Sequence, residues 1–384
     1  LRLGPLEIVL ALTVLGALLR FGTLNVQSVW LDESATMILV HRGFSGMLSH
    51  LSSSESTPPL YYILVWAWTK VFGAGPVGFR SFSALVGTLT IPVLYAAGRE
   101  ISQRVGLWAA ALASFSPAMY YYSQEARAYG LLILLCAAAF ALWQRALRAP
   151  SRRSLALWSA ASVLALVTHY FAAFLFIPEA ALLLRRLGWR RVWAPIGAVL
   201  LAGAALAPLA LSQRADGKAS WIEEASLGSR ASETVKQFLV GLYGPLEIVT
   251  AVLAALLAAA AIALLLTRGE QRERTLARDA AIVGVSGVLL PLVLAATHIV
   301  DVFDGRNVIA AWVPLAVLVA IGLGARRVPR AGALLGLALC ALSLAVIAAI
   351  DVLPAYQRDD WRGVAQAIPS ASSPRVIVGE RYFS

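Results

Sequence analysis

The chain has 384 residues, 59% of them hydrophobic and 14% charged, with a net charge of +11 and a mean hydropathy of +0.75. Soluble domains hold about 45–50% apolar and about 25% charged residues. The composition therefore excludes an ordinary soluble protein, a disordered chain and a nucleic-acid-binding module, and it points to one polytopic membrane domain.

A membrane-spanning helix needs about 20 apolar residues. In chain order the hydropathy predicts spans over Pro5–Thr23, Phe79–Ala97, Val105–Tyr122, Ala126–Gln144, Leu155–Thr168, Tyr170–Leu184, Val192–Ser212, Leu246–Leu266, Ala280–His298, Val308–Gly324 and Ala331–Ile350. That is about eleven crossings. No cleavable signal peptide is expected, because the first apolar stretch is long enough to span and lacks a convincing small-residue cleavage site. The fifth and sixth spans share a run of about 33 residues, which predicts a tight hairpin at Thr168–His169–Tyr170. Cys136 and Cys340 both lie inside apolar runs and read as buried thiols.

Arginine sets the orientation. The clusters Arg99/Arg104, Arg145/Arg148/Arg152/Arg153, Arg185/Arg186/Arg190/Arg191, Arg268/Arg272/Arg274/Arg278 and Arg326/Arg327/Arg330 fall on one side, together with Arg2. That side carries about 18 of the 32 basic residues and about 4 of the 21 acids, and basic loops stay in the cytoplasm. Residues 58–72 look helical and apolar, yet a crossing there would scatter the arginine clusters over both faces. Their aromatic residues Tyr61, Tyr62, Trp66 and Trp68 suit a helix lying at the outer interface. The expected division is a membrane domain over residues 1–350, with the first outer loop at 24–78. An extracytoplasmic region begins over residues 351–384. There an amphipathic helix is predicted at 359–368, and a strand-like Arg375–Val378 suggests a truncated outer domain.

Four polar constellations fall on the outer side. Polar groups near a membrane are costly to bury and are functional candidates. Trp30-Leu31-Asp32-Glu33-Ser34 offers adjacent carboxylates, one of which can act as a tuned general base; the competing reading is a simple helix N-cap at Asp32. Tyr120–Tyr129 sets Glu125 and Arg127 amid four tyrosines, among them Tyr122. Arginine can pair with a phosphate there, or the segment is a plain interfacial turn. His169 sits in an apolar hairpin, where a lone histidine is more often a satisfied interfacial residue than a ligand. Arg306 precedes the tenth crossing, where it can hold an anionic headgroup or snorkel to the interface. No histidine pair has metal-ligand spacing.

These motifs occur in an order that resembles the bacterial protein-mannosyltransferase-like membrane glycosyltransferases. That group has the GT-C fold and is related to protein O-mannosyltransferases and to lipid A aminoarabinose transferases. The resemblance rests on Trp30-Leu31-Asp32-Glu33, Thr57-Pro58-Pro59-Leu60-Tyr61-Tyr62, Phe79-Arg80-Ser81, Tyr122–Tyr129, Thr168-His169-Tyr170-Phe171, Arg306-Asn307 and Asp360-Trp361-Arg362-Gly363. It implies an all-α GT-C helical bundle and an inverting transfer of sugar from a polyprenyl-phosphate donor to a lipid, glycan or protein acceptor. The expected location is the extracytoplasmic face of a bacterial inner membrane, with membrane lipids as the other partner and no nucleic acid. The implied catalytic residues are Asp32 and its neighbour Glu33. The implied substrate-binding residues are Glu125, Arg127, Tyr122, Arg306, His169 and Tyr61. No cofactor is assigned. Some relatives bind a divalent metal through an acidic residue or histidine before the Pro-Pro together with a histidine like His169, but here that position is Thr57. Glu55 would serve only if the loop shifts, so a divalent metal stays open. The rival reading is a polytopic transporter or lipid-linked-sugar flippase. It would place ionisable groups near the membrane midplane, whereas these apolar runs carry few charges apart from Glu179 and Glu7.

Overall fold

The computed structural model describes residues 4–215, 217 and 220–368. Among the described residues the chain is all helical. Its α-helices are α1 (Pro5–Gly22), α2 (Leu31–His41), α3 (Gly43–Ser54), α4 (Leu60–Phe72), α5 (Pro76–Arg99), α6 (Gln103–Phe115), α7 (Pro117–Ser123), α8 (Tyr129–Arg148) and α9 (Arg152–Thr168). There follow α10 (Ala173–Leu187), α11 (Trp189–Ala215), α12 (Leu227–Val240), α13 (Glu247–Arg268), α14 (Gln271–Ala296), α15 (Trp312–Leu323), α16 (Pro329–Val352) and α17 (Trp361–Ala367). The strand-like Arg375–Val378 lies outside the described residues.

Local chemistry sets many of these boundaries. Ser102 and Ser151 sit in extended backbone and accept from the amides of Val105 and Ser154 at 3.3 and 3.0 Å, which starts α6 and α9. Gly73, at φ +89°, ends α4 in a conformation that side chains rarely adopt.

Among the described residues, seven helices are long and apolar enough to cross a membrane: α1, α5, α8, α11, α13, α14 and α16. The other four expected spans fall on the shorter helices α6, α9, α10 and α15. Most of the surface of α11 and α13 is exposed, and leucines such as Leu200, Leu201 and Leu256 point outward. An apolar helix with so little protein cover needs lipid around it, and the chain is a multi-pass membrane protein.

The span expected over Val105–Tyr122 is not one helix. Ser116 is extended (φ −64°, ψ 126°) and Pro117 opens α7. The residue before a proline is pushed out of the helical region, and proline suits the first turn of the next helix. The turn expected at Thr168–Tyr170 is present, with His169 extended and a short 3-10 turn over Tyr170–Ala172. The two helices then part company. α9 packs on α8 and α11, and α10 packs chiefly on α14. The segment 58–72 forms α4, too short for a regular span and lodged against α5 and α9.

α5 packs closely on α6 and α8. A Cβ on Gly98 would lie 2.8 Å from the Cα of Gly106, so this pair of glycines lets the two backbones meet. Inside the bundle, Trp158 donates to the Glu179 carboxylate at 2.7 Å and Trp143 to the Glu179 carbonyl at 3.0 Å. Glu179 is thereby held by hydrogen bonds rather than by a cation.

The two ends of the bundle differ. One end gathers the arginine clusters, with Arg148 on Glu100 at 3.1 Å, Arg186 on Asp279 at 2.5 Å and Arg326 near Glu270 at 3.9 Å. The opposite end carries α2, α3, α4, α12 and the segment after α16, and there the four polar constellations converge.

Candidate active site

The site is built where α2 meets the loop between α7 and α8. Asp32 and Glu33 are the second and third residues of α2. Successive helical residues point about 100° apart around the axis, so the two carboxylates face different partners. Glu33 turns inward and is fully buried. Its oxygens accept from Arg80 Nε at 2.7 Å, Arg80 Nη2 at 2.5 Å, the Ala126 amide at 2.9 Å and Arg358 Nη1 at 3.0 Å. Arg80 spends its remaining donors on the carbonyls of Leu24, Gln27 and Ser28. A carboxylate with this many donors and no route to solvent holds the site together; the geometry does not fit a catalytic role for Glu33.

Asp32 is the open member of the pair. Its Oδ2 accepts from Arg306 Nη1 at 2.7 Å, and the two side chains keep 29% and 23% of their surface exposed. The Arg306 guanidinium also bonds Asp304 at 3.3 Å and lies 4.2 Å above the ring of Trp221. The aromatic face and two carboxylates fix the arginine while leaving it partly reachable.

Arg127 lies behind this pair. Its Nη1 meets Glu55 at 2.8 and 2.9 Å, the Thr36 hydroxyl at 3.1 Å and the Asp32 carbonyl at 3.3 Å. Thr57 is tied elsewhere, sharing a hydrogen bond with the Tyr62 hydroxyl at 2.8 Å. Glu125, in the loop between α7 and α8, is buried, and its Oε2 has no hydrogen-bond partner among the described residues. Burial pushes its carboxyl up to about 7, against the pull of Arg358. Glu125 is thus a buried acid that exchanges its proton near neutrality.

The aromatic residues divide. Tyr122 is buried, its hydroxyl bonded to Gln237, and it packs edge-on against Tyr129. His169 is buried beside Tyr129 and Phe171, and its Nδ1 accepts from the Phe171 amide at 3.4 Å. Burial, with Arg127 nearby, lowers its imidazole to about 3 and keeps it neutral. Tyr61 packs among Tyr62 and Phe82, and its hydroxyl has no hydrogen-bond partner among the described residues. The expected set therefore comes together at one end of the bundle, with Asp32 and Arg306 its accessible members, while Glu33, Tyr61, Tyr122 and His169 are sealed beneath.

The residues do not fit a divalent metal. Glu55 is taken by Arg127, His169 Nδ1 by a backbone amide, and no three His, Cys, Asp or Glu residues come together as a metal set among the described residues.

Two participants escaped the sequence reading. Arg358 had no signal beyond its place just before Asp-Asp-Trp-Arg-Gly, and Trp221 had none.

Residues 56–212 match the family of dolichyl-phosphate-mannose-protein mannosyltransferases. No curated protein matches the chain. Among solved structures the fold is similar to ArnT from Cupriavidus metallidurans in the apo state, with a TM-score of 0.58 and 14% identity, over 82% of this chain and 59% of that one. It is similar to the same protein bound to undecaprenyl phosphate, with a TM-score of 0.55 and 16% identity, over 85% of this chain and 62% of that one. An oligosaccharyltransferase from Archaeoglobus fulgidus, tethered with an acceptor peptide, aligns at a TM-score of 0.47 and 12% identity over 92% and 54% of the two chains. The chain thus spans under two thirds of the length of ArnT. The helical bundle has the GT-C fold, and its segment 56–212 matches a protein-mannosyltransferase family, in keeping with the resemblance seen in the motifs.

Proposed function

We propose that the chain is an inverting glycosyltransferase. It moves a sugar from a polyprenyl-phosphate donor to the hydroxyl of a lipid, glycan or protein acceptor, on the extracytoplasmic face of a bacterial inner membrane. The observation that carries this reading is the pair formed by Asp32 and Arg306 at 2.7 Å, both partly accessible and set over a rigid, buried charge network. It supports the reading because a carboxylate suited to act as base lies beside a cation suited to bind phosphate.

The reaction is a single displacement. The acceptor oxygen attacks C1 of the sugar as its proton passes to the Asp32 carboxylate. The bond from C1 to the phosphate oxygen breaks, and its electron pair leaves with the lipid phosphate. The charge that grows there is met by Arg306, with Arg127 behind it. Tyr122, Tyr129 and the protonated form of Glu125 lie buried beneath this pair and give it a polar, largely dry floor. A polyprenyl-phosphate donor is supported by the fold neighbour bound to undecaprenyl phosphate. The extracytoplasmic placement is supported by the arginine clusters at the opposite end of the bundle.

The polar groups gather at one end, and the carboxyl of Glu179 inside the bundle is bonded to a tryptophan. This arrangement favours an enzyme over a carrier. Purified protein supplied with radiolabelled polyprenyl-phosphate sugar should transfer the label, and Asp32→Asn should lose about 10²–10⁴-fold in rate, the usual contribution of a general base. Undiminished transfer by that variant would remove Asp32 from the reaction. Movement of label across vesicles without bond cleavage would favour the carrier.

A further inference from the structure

We propose that Arg358, in the segment that follows the last long helix, is a positioning residue for chemistry at Asp32 and acts through Glu33. The proposal rests on the reading of Asp32 as the base.

The segment after α16 folds back over the first outer loop. Gln357 bonds the carbonyls of Ile350 and Asp351 at 3.1 and 3.0 Å, closing the end of α16. The Arg358 amide then donates to Gln27 Oε1 at 3.3 Å. Ser28 Oγ donates to Asp360 at 2.9 Å and accepts from the Arg362 amide at 3.2 Å, and the Arg362 guanidinium reaches Asn25 Oδ1 at 3.1 Å. These contacts deliver the Arg358 side chain beneath α2, where it is 6% exposed. Its guanidinium lies 4.7 Å from the centre of the Tyr121 ring and 5.4 Å from that of Trp30, and Nη1 donates to Glu33 Oε2 at 3.0 Å.

Glu33 is where this contact matters. It occupies the first turn of α2, next to Asp32, and it also binds Arg80 of α5 and the Ala126 amide of the loop that holds Glu125 and Arg127. A short helix turn pinned at one side chain cannot rotate freely at the next. Holding Glu33 against Arg80 and Arg358 fixes the rotation of α2 and thereby directs Asp32 toward Arg306. The Ala126 contact carries the same restraint into the loop. Arg358 reaches neither Asp32 nor Arg306 in the contacts described; it acts on Glu125 through charge alone, whereas Glu33 is its hydrogen-bonded partner and the route by which it restrains Asp32. A base held within a few tenths of an ångström of its productive position is what proximity catalysis requires.

Three measurements test this. First, Arg358→Ala in the full chain should lower kcat for sugar transfer at least tenfold while changing the KM for the polyprenyl-phosphate sugar less than threefold, and Arg358→Lys should recover part of the loss. A raised KM at unchanged kcat would instead make Arg358 a phosphate ligand and overturn the proposal. Wild-type rates in Arg358→Ala would also overturn it. Second, Arg358→Ala added to Glu33→Gln should cost little more than Glu33→Gln alone; independent, multiplicative losses would break the link through Glu33. Third, a readout that needs no sugar transfer is the rate at which a thiol reagent labels Asp32→Cys in folded, monodisperse protein. That rate should rise several-fold when Arg358→Ala is added and fall back with Arg358→Lys. An unchanged labelling rate would overturn the positioning claim even if no transfer were found. Absence of transfer in the unmodified protein, with the labelling result as expected, would instead overturn the assigned reaction and leave the restraint on α2 standing.

Discussion

The two ends of the bundle use the same residue type in opposite ways. At the end that gathers the basic clusters, arginines stand in water or at the lipid boundary. Arg145 and Arg148 flank Glu100 with 62% and 55% of their side chains exposed, and Arg326 is 56% exposed. At the other end Arg80 is almost completely buried and all its donor nitrogens are engaged, while Arg127 and Arg358 are mostly covered. An exposed arginine orients a membrane protein through its charge alone, and its exact neighbour matters little. A buried arginine has lost the water that would otherwise meet its donors, so specific protein partners take most of them and its surroundings become rigid. The contrast shows where the molecule has committed structure to a site and where it has only marked a side of the membrane.

Substitutions at the two ends should break or sharpen this contrast. Arg80→Ala should have the largest effect, because it strips Glu33 of its two shortest hydrogen bonds and leaves a buried carboxylate with fewer donors. A loss of about 3–5 kcal/mol is expected for such a broken pair, read as a lowered unfolding midpoint in detergent and as lost transfer activity.

Glu125→Gln should be intermediate and visible in the pH dependence. In the folded protein the Glu125 carboxyl sits at about 7, against an ordinary value of 4.5. Between those values the folded state keeps a proton that the unfolded chain has released. Stability should therefore fall as pH rises from 4.5 to about 7 and be level above it. Glu125→Gln should abolish that slope and be the more stable protein at pH 8. A slope that persists in the variant would assign it to another group.

Arg148→Ala should have the smallest effect, within about 1 kcal/mol in stability, since exposed pairs contribute little. A larger loss would mean that the basic end holds structure as well as orientation.

Much of this architecture was legible in the chain. Apolar runs placed the long helices within about four residues at each end, except α14, which begins nine residues before its expected span, and the arginine clusters did fall together at one end. The aromatic stretch at 58–72 announced a short helix rather than a span. The breaks were harder to read. The Ser116-Pro117 kink interrupts a run whose average hydropathy is unaffected, because a proline changes backbone geometry without changing polarity. At the site, the Asp32-Glu33 pair was visible as two adjacent carboxylates. Which of them faces inward depends on Arg80 and Arg358, which lie 47 and 325 positions further along the chain. Arg306 was placed at an outer helix mouth, but its partnership with Asp32 spans 274 positions, and Trp221 beneath it carries no local motif. Separations of that length are set by packing of the whole bundle and leave no trace in local pattern.

The bond between Glu33 and Arg358 also has a temporal meaning. Glu33 leaves the ribosome early and can meet Arg80 as soon as the next long helix has been inserted. Arg358 is translated only after α16. A nascent chain that stalls before that point would carry a buried carboxylate short of one donor beside Asp32. This contact forms only once α16 has been made, so chains that stall before it should stay inert in the membrane.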